Sequence, residues 1–121
     1  MAKCILIVDD SVSLRQVVKI TLTGAGYEVL EAGDGVEALE VLQSHKANLV
    51  ISDVNMPRMD GLTLLRTLKE KPDLKFMPVI MLTTESEAEK KKQGQEAGAR
   101  AWVVKPFQPQ QMLAAVSKLM M

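Results

Sequence analysis

Short, strongly apolar runs recur along the chain, and longer stretches with apolar residues at helical spacing separate them. The runs are rich in β-branched residues and end at polar or turn residues, so each predicts a strand. The predicted strands cover residues 4–8, 27–32, 49–52, 79–83 and 101–104. Three of them are almost wholly apolar, which is typical of parallel strands that are buried on both faces.

A helix is predicted after each strand, and this alternation indicates a doubly wound α/β fold with a five-stranded parallel sheet and five helices. The first helix is expected to begin at Ser11 or Ser13, either of which could cap it, and to end near Gly26. Its apolar stripe consists of Leu14, Val17, Val18, Thr21, Leu22 and Ala25.

The other four helices have recognisable starts or faces. Asp34 and Glu37 have the spacing of a capping box at the start of the second helix. The fourth helix, over residues 85–97, is the most polar and contains Gly94, so we expect it to be the least firmly held. The fifth begins at Pro109, a residue that is favoured in the first turn. The third helix is marked by Leu62, Leu65 and Leu68.

The length of 121 residues suits one domain, and we predict a single domain over residues 1–121. Its 15 basic residues cancel its 15 acidic ones, so net charge gives no indication of binding to nucleic acid or to an acidic membrane. The first apolar run is too short for an export signal or a membrane anchor, so a cytoplasmic location is expected. Cys4 is the single cysteine, which excludes a disulfide within the chain.

Polar side chains stand where four of the predicted strands end. Asp9 and Asp10 follow the first strand, Asp53 the third and Lys105 the fifth, while Thr83 ends the fourth. Ligands of open α/β sheets bind beyond the carboxyl ends of the strands, so we expect these residues to form one site. Clustered carboxylates repel one another unless a cation is present, and Mg²⁺ suits a site with few protein carboxylates. A carboxylate can also act as a nucleophile and form an aspartyl phosphate.

Each of these residues, taken singly, has a simpler explanation. Asp9 and Asp10 could cap the first helix, because acidic residues favour a helix N-terminus. Asp53 could be an exposed loop carboxylate, Lys105 a solvated charge, and Thr83 an ordinary strand residue. Their joint placement at the ends of parallel strands favours a common site.

Four segments in this order resemble the four motifs of response-regulator receivers, the phosphoacceptor domains of bacterial two-component systems. The segments are residues 7–11, 53–61, 81–83 and 104–107, with the sequences IVDDS, DVNMPRMDG, MLT and VKPF. The resemblance extends over the whole chain and includes the stand-alone receivers of chemotaxis. It implies a flavodoxin-like sheet with the strand order 2-1-3-4-5.

The resemblance also implies a role for each residue of the site. Asp53 would accept the phosphoryl group, Asp10 would bind Mg²⁺ directly, and Asp9 would bind it through water. Asn55 would offer its backbone carbonyl to the metal. Lys105 would pair with the phosphoryl group, and the peptide bond that follows it would be cis.

A switch is implied in which Thr83 moves toward the phosphoryl group and an aromatic residue of the fifth strand turns inward. That aromatic residue is Trp102 here, where the family usually has Tyr or Phe, and a plain packing role for this Trp is the alternative. Thr84 is bulkier than the usual Ala or Gly and could restrict access to the phosphoryl group. Asn55 and Glu85 have the types that tune the lifetime of the aspartyl phosphate in chemotaxis regulators.

The implied partners are a sensor histidine kinase, in particular a chemotaxis kinase, together with a flagellar motor switch protein and a phosphatase. The face formed by the fourth helix, the fifth strand and the fifth helix would bind the target, and the chain is expected to be monomeric. No catalysis is expected beyond its own phosphorylation and dephosphorylation. Direct binding of nucleic acid or membrane is not expected either.

Four alternatives stay open. The chain could be the receiver part of a longer transcriptional regulator, or a phosphorelay intermediate outside chemotaxis; any DNA binding would then come from other residues, because no basic recognition helix is present. An aspartate-dependent phosphatase would use Asp9 as nucleophile, but residues 9–11 lack the expected carboxylate pair two positions apart. A flavodoxin-like carrier would need a phosphate loop after the first strand, which this sequence lacks.

Overall fold

Strands and helices alternate along the whole described chain, which comprises residues 3–84 and 88–120 of a computed structural model. The strands are β1 (Cys4–Val8), β2 (Glu28–Ala32), β3 (Leu49–Asp53), β4 (Val79–Thr84) and β5 (Ala101–Lys105). The helices are α1 (Val12–Gly24), α2 (Gly35–Ser44), α3 (Gly61–Glu70), α4 (Ala88–Ala97) and α5 (Pro109–Leu119). Every predicted strand is confirmed to within one residue at each end.

The five strands pair in parallel in the order β2-β1-β3-β4-β5, which confirms the fold class and the strand order that the resemblance implies. The winding direction reverses between β1 and β3, where ligands bind in folds of this kind. Val8 of β1 is in register with Ser52 of β3. The residues that come next, Asp9 and Asp53, therefore lie side by side at the carboxyl edge of the sheet.

Both faces of the sheet are covered, as the apolar strands predict. Successive side chains of a strand point to opposite faces, so Ile5 and Ile7 pack beneath α1 and α5 while Leu6 and Val8 pack beneath α2 and α3. Two apolar layers hold the strand ends in place. Within residues 3–84 and 88–120, each helix falls short of the length and apolar character that a membrane span requires.

The start of α1 settles which serine caps it. Ser11 is the capping residue, and its side chain accepts a hydrogen bond of 3.2 Å from the Leu14 N–H. Two residues of the predicted apolar stripe are wrong, and the first is Val17, which is 52% exposed. Val18 and Leu22, which are four residues apart, face the sheet, and Val17 lies about 100° around the helix from Val18. Ala25 of that stripe is exposed as well.

The glycine in α4 has a packing role that the sequence does not reveal. Helix α4 is described from Ala88 to Ala97, so residues 85–87 of the predicted helix lie outside the described part. Gly94 is buried, and a Cβ atom added to it would lie 2.3 Å from Cζ3 of Trp102. The helix can approach the indole this closely only because residue 94 has no side chain.

Candidate functional site

Three carboxylates meet at the carboxyl edge of the sheet. One oxygen from each of Asp9, Asp10 and Asp53 lies within 4.8 Å of the other two. Asp9 and Asp53 are buried, whereas Asp10 is exposed. The structure thus brings together the acidic residues that the strand ends predict, and neither Asp9 nor Asp10 serves as the α1 cap.

Lys105 joins two of these carboxylates. Its Nζ lies 3.1 Å from Asp9 Oδ2 and 3.1 Å from Asp53 Oδ1. The side chain is 24% exposed, so part of it remains open to a ligand in solution. The Lys105–Pro106 peptide bond is cis, which agrees with the resemblance. The ammonium offsets only part of the charge of three clustered carboxylates.

The electrostatics of the site follow from this arrangement. Burial raises the pKa of Asp53 above its ordinary value, and the nearby charge of Asp9 raises it further, against the opposing effects of Lys105 and the Val54 N–H. Burial alone would lower the pKa of Lys105, but the charges of Asp53 and Asp9 outweigh it and raise that pKa. Lys105 is therefore charged at neutral pH. Its positive charge does not fully offset the burial of Asp53 and the repulsion from Asp9, so the ionised form of Asp53 is disfavoured.

The donor set fits Mg²⁺. Magnesium binds oxygen at about 2.0–2.1 Å, so two ligand oxygens of one ion lie at most about 4 Å apart, and the three carboxylate oxygens lie within 4.8 Å of one another. Asp9 Oδ1 accepts the Ser11 N–H at 2.9 Å and its Oδ2 binds Lys105. Asp10 and Asp53 are therefore better placed than Asp9 to bind the ion directly. Asn55 lies two residues after Asp53, the last residue of β3, and is exposed.

The remaining residues of the predicted site lie on β4 and β5. Thr83 is 3% exposed at the carboxyl end of β4. Trp102 lies earlier on β5, packs toward α4, and has a buried Nε1 with no hydrogen-bond partner in the described part of the chain. The Thr84 side chain and the whole of Glu85 lie outside the described part of the structure.

Two residues support the site without having been singled out from the sequence. A Cβ atom at Gly61 would lie 2.1 Å from the Asp53 carbonyl oxygen, so only glycine allows α3 to begin so close to Asp53. The position of Gly61 in the segment 53–61 was an available signal. Arg15 of α1 donates a hydrogen bond to the Asp9 carbonyl and pairs with Glu31 at 3.2 Å. No sequence signal marks Arg15, because its partners are distant from each other in the sequence: Asp9 follows β1 and Glu31 lies in β2.

Comparison with known proteins gives a consistent match. Residues 5–117 match the family model described as response regulator receiver domain. The chemotaxis response regulator CheY4 of Vibrio cholerae superposes with a TM-score of 0.92 at 44% identity, covering 98% of this chain and 99% of that one. The chemotaxis protein CheY1 of Helicobacter pylori is 43% identical over 88% of this chain and 87% of its own length.

A second group of relatives is longer. The probable transcriptional regulator ycf27 of Cyanophora paradoxa is 41% identical over 98% of this chain but only 48% of its own length. The chain thus spans about half the length of the first curated relatives that it matches.

Proposed function

Because the chain belongs to the response regulator receiver family, we propose that it is a two-component phosphorylation switch that accepts a phosphoryl group on Asp53 with the help of Mg²⁺. One observation carries the proposal. Asp53 lies at the topological switch point of the sheet, within 4.8 Å of the Asp9 and Asp10 carboxylates and in contact with the Lys105 ammonium.

In the proposed reaction, an oxygen of Asp53 attacks the phosphorus of a phosphohistidine in a kinase. A phosphorus–oxygen bond forms as the phosphorus–nitrogen bond breaks, and the imidazole leaves with the electron pair and takes up a proton. Bound Mg²⁺ would neutralise charge on the phosphoryl oxygens. Lys105 favours the ionised nucleophile and then pairs with the phosphoryl group.

The signal is lost when the aspartyl phosphate is hydrolysed. Water attacks the phosphorus, the bond to Asp53 breaks, and inorganic phosphate leaves, which restores the carboxylate. We assign the tuning of this step to Asn55, which follows β3, and to Thr84 and Glu85, which come next to Thr83 in the sequence. The chain then catalyses only its own phosphorylation and dephosphorylation.

The proposed output uses Thr83 and Trp102. A phosphoryl group on Asp53 attracts the Thr83 hydroxyl, and Trp102 repacks behind it against α4. The indole packs against Gly94 with its Nε1 buried, so a movement of Trp102 would alter the packing of α4. A ligand shifts such an equilibrium only through its different interaction with the two states.

Trp102 emission should change when Mg²⁺ binds and change again when beryllofluoride, a mimic of the phosphoryl group, is added. Trp102 is the only tryptophan, so the signal reports on β5 and α4 alone. Thr83→Ala should bind beryllofluoride but lose most of the second change, since the hydroxyl that couples Asp53 to β5 is absent. Stopped-flow fluorescence measures both steps.

The exposed Thr23→Ala serves as the matched control and should behave as wild type. Saturable beryllofluoride binding with unchanged Trp102 emission and unchanged amide exchange in α4 and α5 would refute the switch, even if Asp53 is phosphorylated.

For the pathway, we favour chemotaxis: a chemotaxis kinase as donor, a flagellar motor switch protein as target at α4, β5 and α5, and a phosphatase, all in the cytoplasm. The similarity to chemotaxis regulators over nearly their full length supports this assignment. The second candidate is the receiver part of a longer transcriptional regulator, supported by the match to half of ycf27.

Transfer rates from a panel of phosphorylated histidine kinases of the same cell test the pathway. Fastest transfer from a chemotaxis kinase, with a natural product of this size in cell extracts, supports the first candidate. Fastest transfer from another kinase, with a natural product about twice as long, supports the second.

A further inference from the structure

A bidentate ion pair joins the loop after β3 to the start of α2. Arg58 Nε donates to Asp34 Oδ2 at 2.8 Å, and Arg58 Nη2 donates to Asp34 Oδ1 at 3.2 Å. Asp34 is 6% exposed, and its Oδ1 also accepts the Glu37 N–H at 2.9 Å as the cap of α2. The carboxylate is fixed by its own helix, so it forms a rigid anchor for the guanidinium.

The same two segments touch through their backbones. The Gly35 N–H donates to the Met59 carbonyl at 3.1 Å. A Cβ atom at Gly35 would lie 2.6 Å from Cγ of Met59, so the close contact depends on the missing side chain. The tip of the loop is therefore held at two neighbouring points, Arg58 and Met59.

Arg58 has a left-handed backbone conformation, with φ of 62°. Arginine has no preference for this region, and such a residue persists where its surroundings impose the conformation. The ion pair to Asp34 supplies that constraint from the side-chain end. The adjacent bond from the Met59 N–H to the Pro57 carbonyl, at 2.6 Å, tightens the same turn.

At its base, the loop is attached to the site itself. The Val54 N–H donates to Asp53 Oδ1 at 2.9 Å, and the Gly61 N–H donates to the Val54 carbonyl at 2.8 Å. Asn55 lies between this closed base and the anchored tip. Its position relative to Asp53 is therefore set from both ends.

We propose that Arg58 and Asp34 act as a positioning pair, a clamp that holds the loop over residues 54–60 so that the Asn55 carbonyl can join Asp10 and Asp53 in binding Mg²⁺. This inference rests on the proposed function, which places the ion at these residues. The clamp lowers the cost of ordering the loop when the ion binds, because the loop is ordered beforehand. Neither Arg58 nor Asp34 belongs to the carboxylate cluster that would hold the ion.

Arg58→Asn tests the effect of the guanidinium apart from that of the backbone conformation, because asparagine tolerates the left-handed conformation but lacks the guanidinium. We expect faster amide exchange at Gly35 and Gly61 in the metal-free protein. We expect the Mg²⁺ dissociation constant to rise roughly twofold to fivefold, the range for an ion pair whose arginine is largely exposed. Hydrogen exchange with mass spectrometry and calorimetric titration with Mg²⁺ measure the two effects.

Three companion variants make the test specific. Asp34→Asn keeps the α2 cap but loses the charge, so it should reproduce both effects. The double variant should be no worse than either single one, because both remove the same contact. Arg58→Lys should restore only part of the affinity, since an ammonium cannot bind bidentately. Arg66→Gln, at an exposed position of α3, is the control and should match wild type.

Unchanged exchange at Gly35 and Gly61 in Arg58→Asn would overturn the clamp, whatever the metal does. Faster exchange with an unchanged Mg²⁺ dissociation constant would overturn its positioning role, provided that Asp10→Ala weakens Mg²⁺ binding in the same experiment. If Asp10→Ala also leaves Mg²⁺ binding unchanged, the metal site of the proposed function is wrong and the positioning role fails with it.

Discussion

Asp53→Asn should fold normally but gain no phosphoryl group when incubated with acetyl phosphate and Mg²⁺, whereas wild type gains one. The amide preserves the shape of the carboxylate and removes the nucleophile. Intact-mass spectrometry measures the gain directly. The expected effect is a complete loss at the normal site.

Asp53→Asn is expected to fold because the surroundings of residue 53 disfavour an ionised side chain, and asparagine is neutral. The pKa of Asp53 in the folded protein lies above its ordinary value because of burial and of Asp9. The folded state therefore binds the Asp53 proton more tightly than the unfolded state does. The stability of the metal-free protein falls as pH rises from the ordinary pKa of an aspartate to the raised pKa of Asp53. At neutral pH without metal, Asp53→Asn should be at least as stable as wild type in a thermal melt.

Asp73→Asn is the matched control, since Asp73 is exposed in the loop between α3 and β4. It should be phosphorylated as wild type is. Undiminished phosphate incorporation in Asp53→Asn would remove Asp53 as the acceptor.

Asp10→Ala should raise the Mg²⁺ dissociation constant by at least roughly tenfold, because it removes one of the two carboxylates best placed to bind the ion. The same loss should appear in stability. Mg²⁺ at about 100 times its dissociation constant should stabilise wild type by about 2.7 kcal/mol, and at that concentration a tenfold weaker site in Asp10→Ala should give no more than about 1.4 kcal/mol. Calorimetry and thermal unfolding with and without Mg²⁺ check both expectations.

Lys105→Ala is the counterpart, because Lys105 binds two carboxylates and not the ion. Mg²⁺ binding should persist in Lys105→Ala, and removal of the positive charge should if anything favour it. Phosphorylation by acetyl phosphate should slow strongly, since no ammonium is left to pair with the phosphoryl group. Equal Mg²⁺ affinity in wild type and Asp10→Ala would contradict the assignment of the metal site.

Much of the fold could be predicted from local pattern. The apolar runs locate the strands because a parallel strand buried on both faces has few polar residues. The carboxyl ends of such strands share one edge, so Asp9, Asp53 and Lys105 could be placed together before any distance was known. The strand order and the cis peptide bond after Lys105 came from the resemblance and not from the pattern.

The parts that could not be predicted depend on contacts between distant residues. Arg58 and Asp34 are 24 positions apart, and either alone is an ordinary polar residue of a loop or a cap. From the sequence, Gly94 is expected only to weaken a polar helix. In the structure, it makes room for the Trp102 indole. Val17 fits the apolar stripe of α1 by residue type, and only the rotation of the helix on the sheet exposes it.

The most direct test of the central claim is to locate the acyl phosphate. Borohydride reduces an aspartyl phosphate to homoserine, which tandem mass spectrometry can assign to one position. After treatment with acetyl phosphate and Mg²⁺, homoserine should appear at position 53 and should be absent when Mg²⁺ is omitted. Homoserine at position 9 or 10 instead, or phosphate held as a stable ester that borohydride does not reduce, would contradict the account.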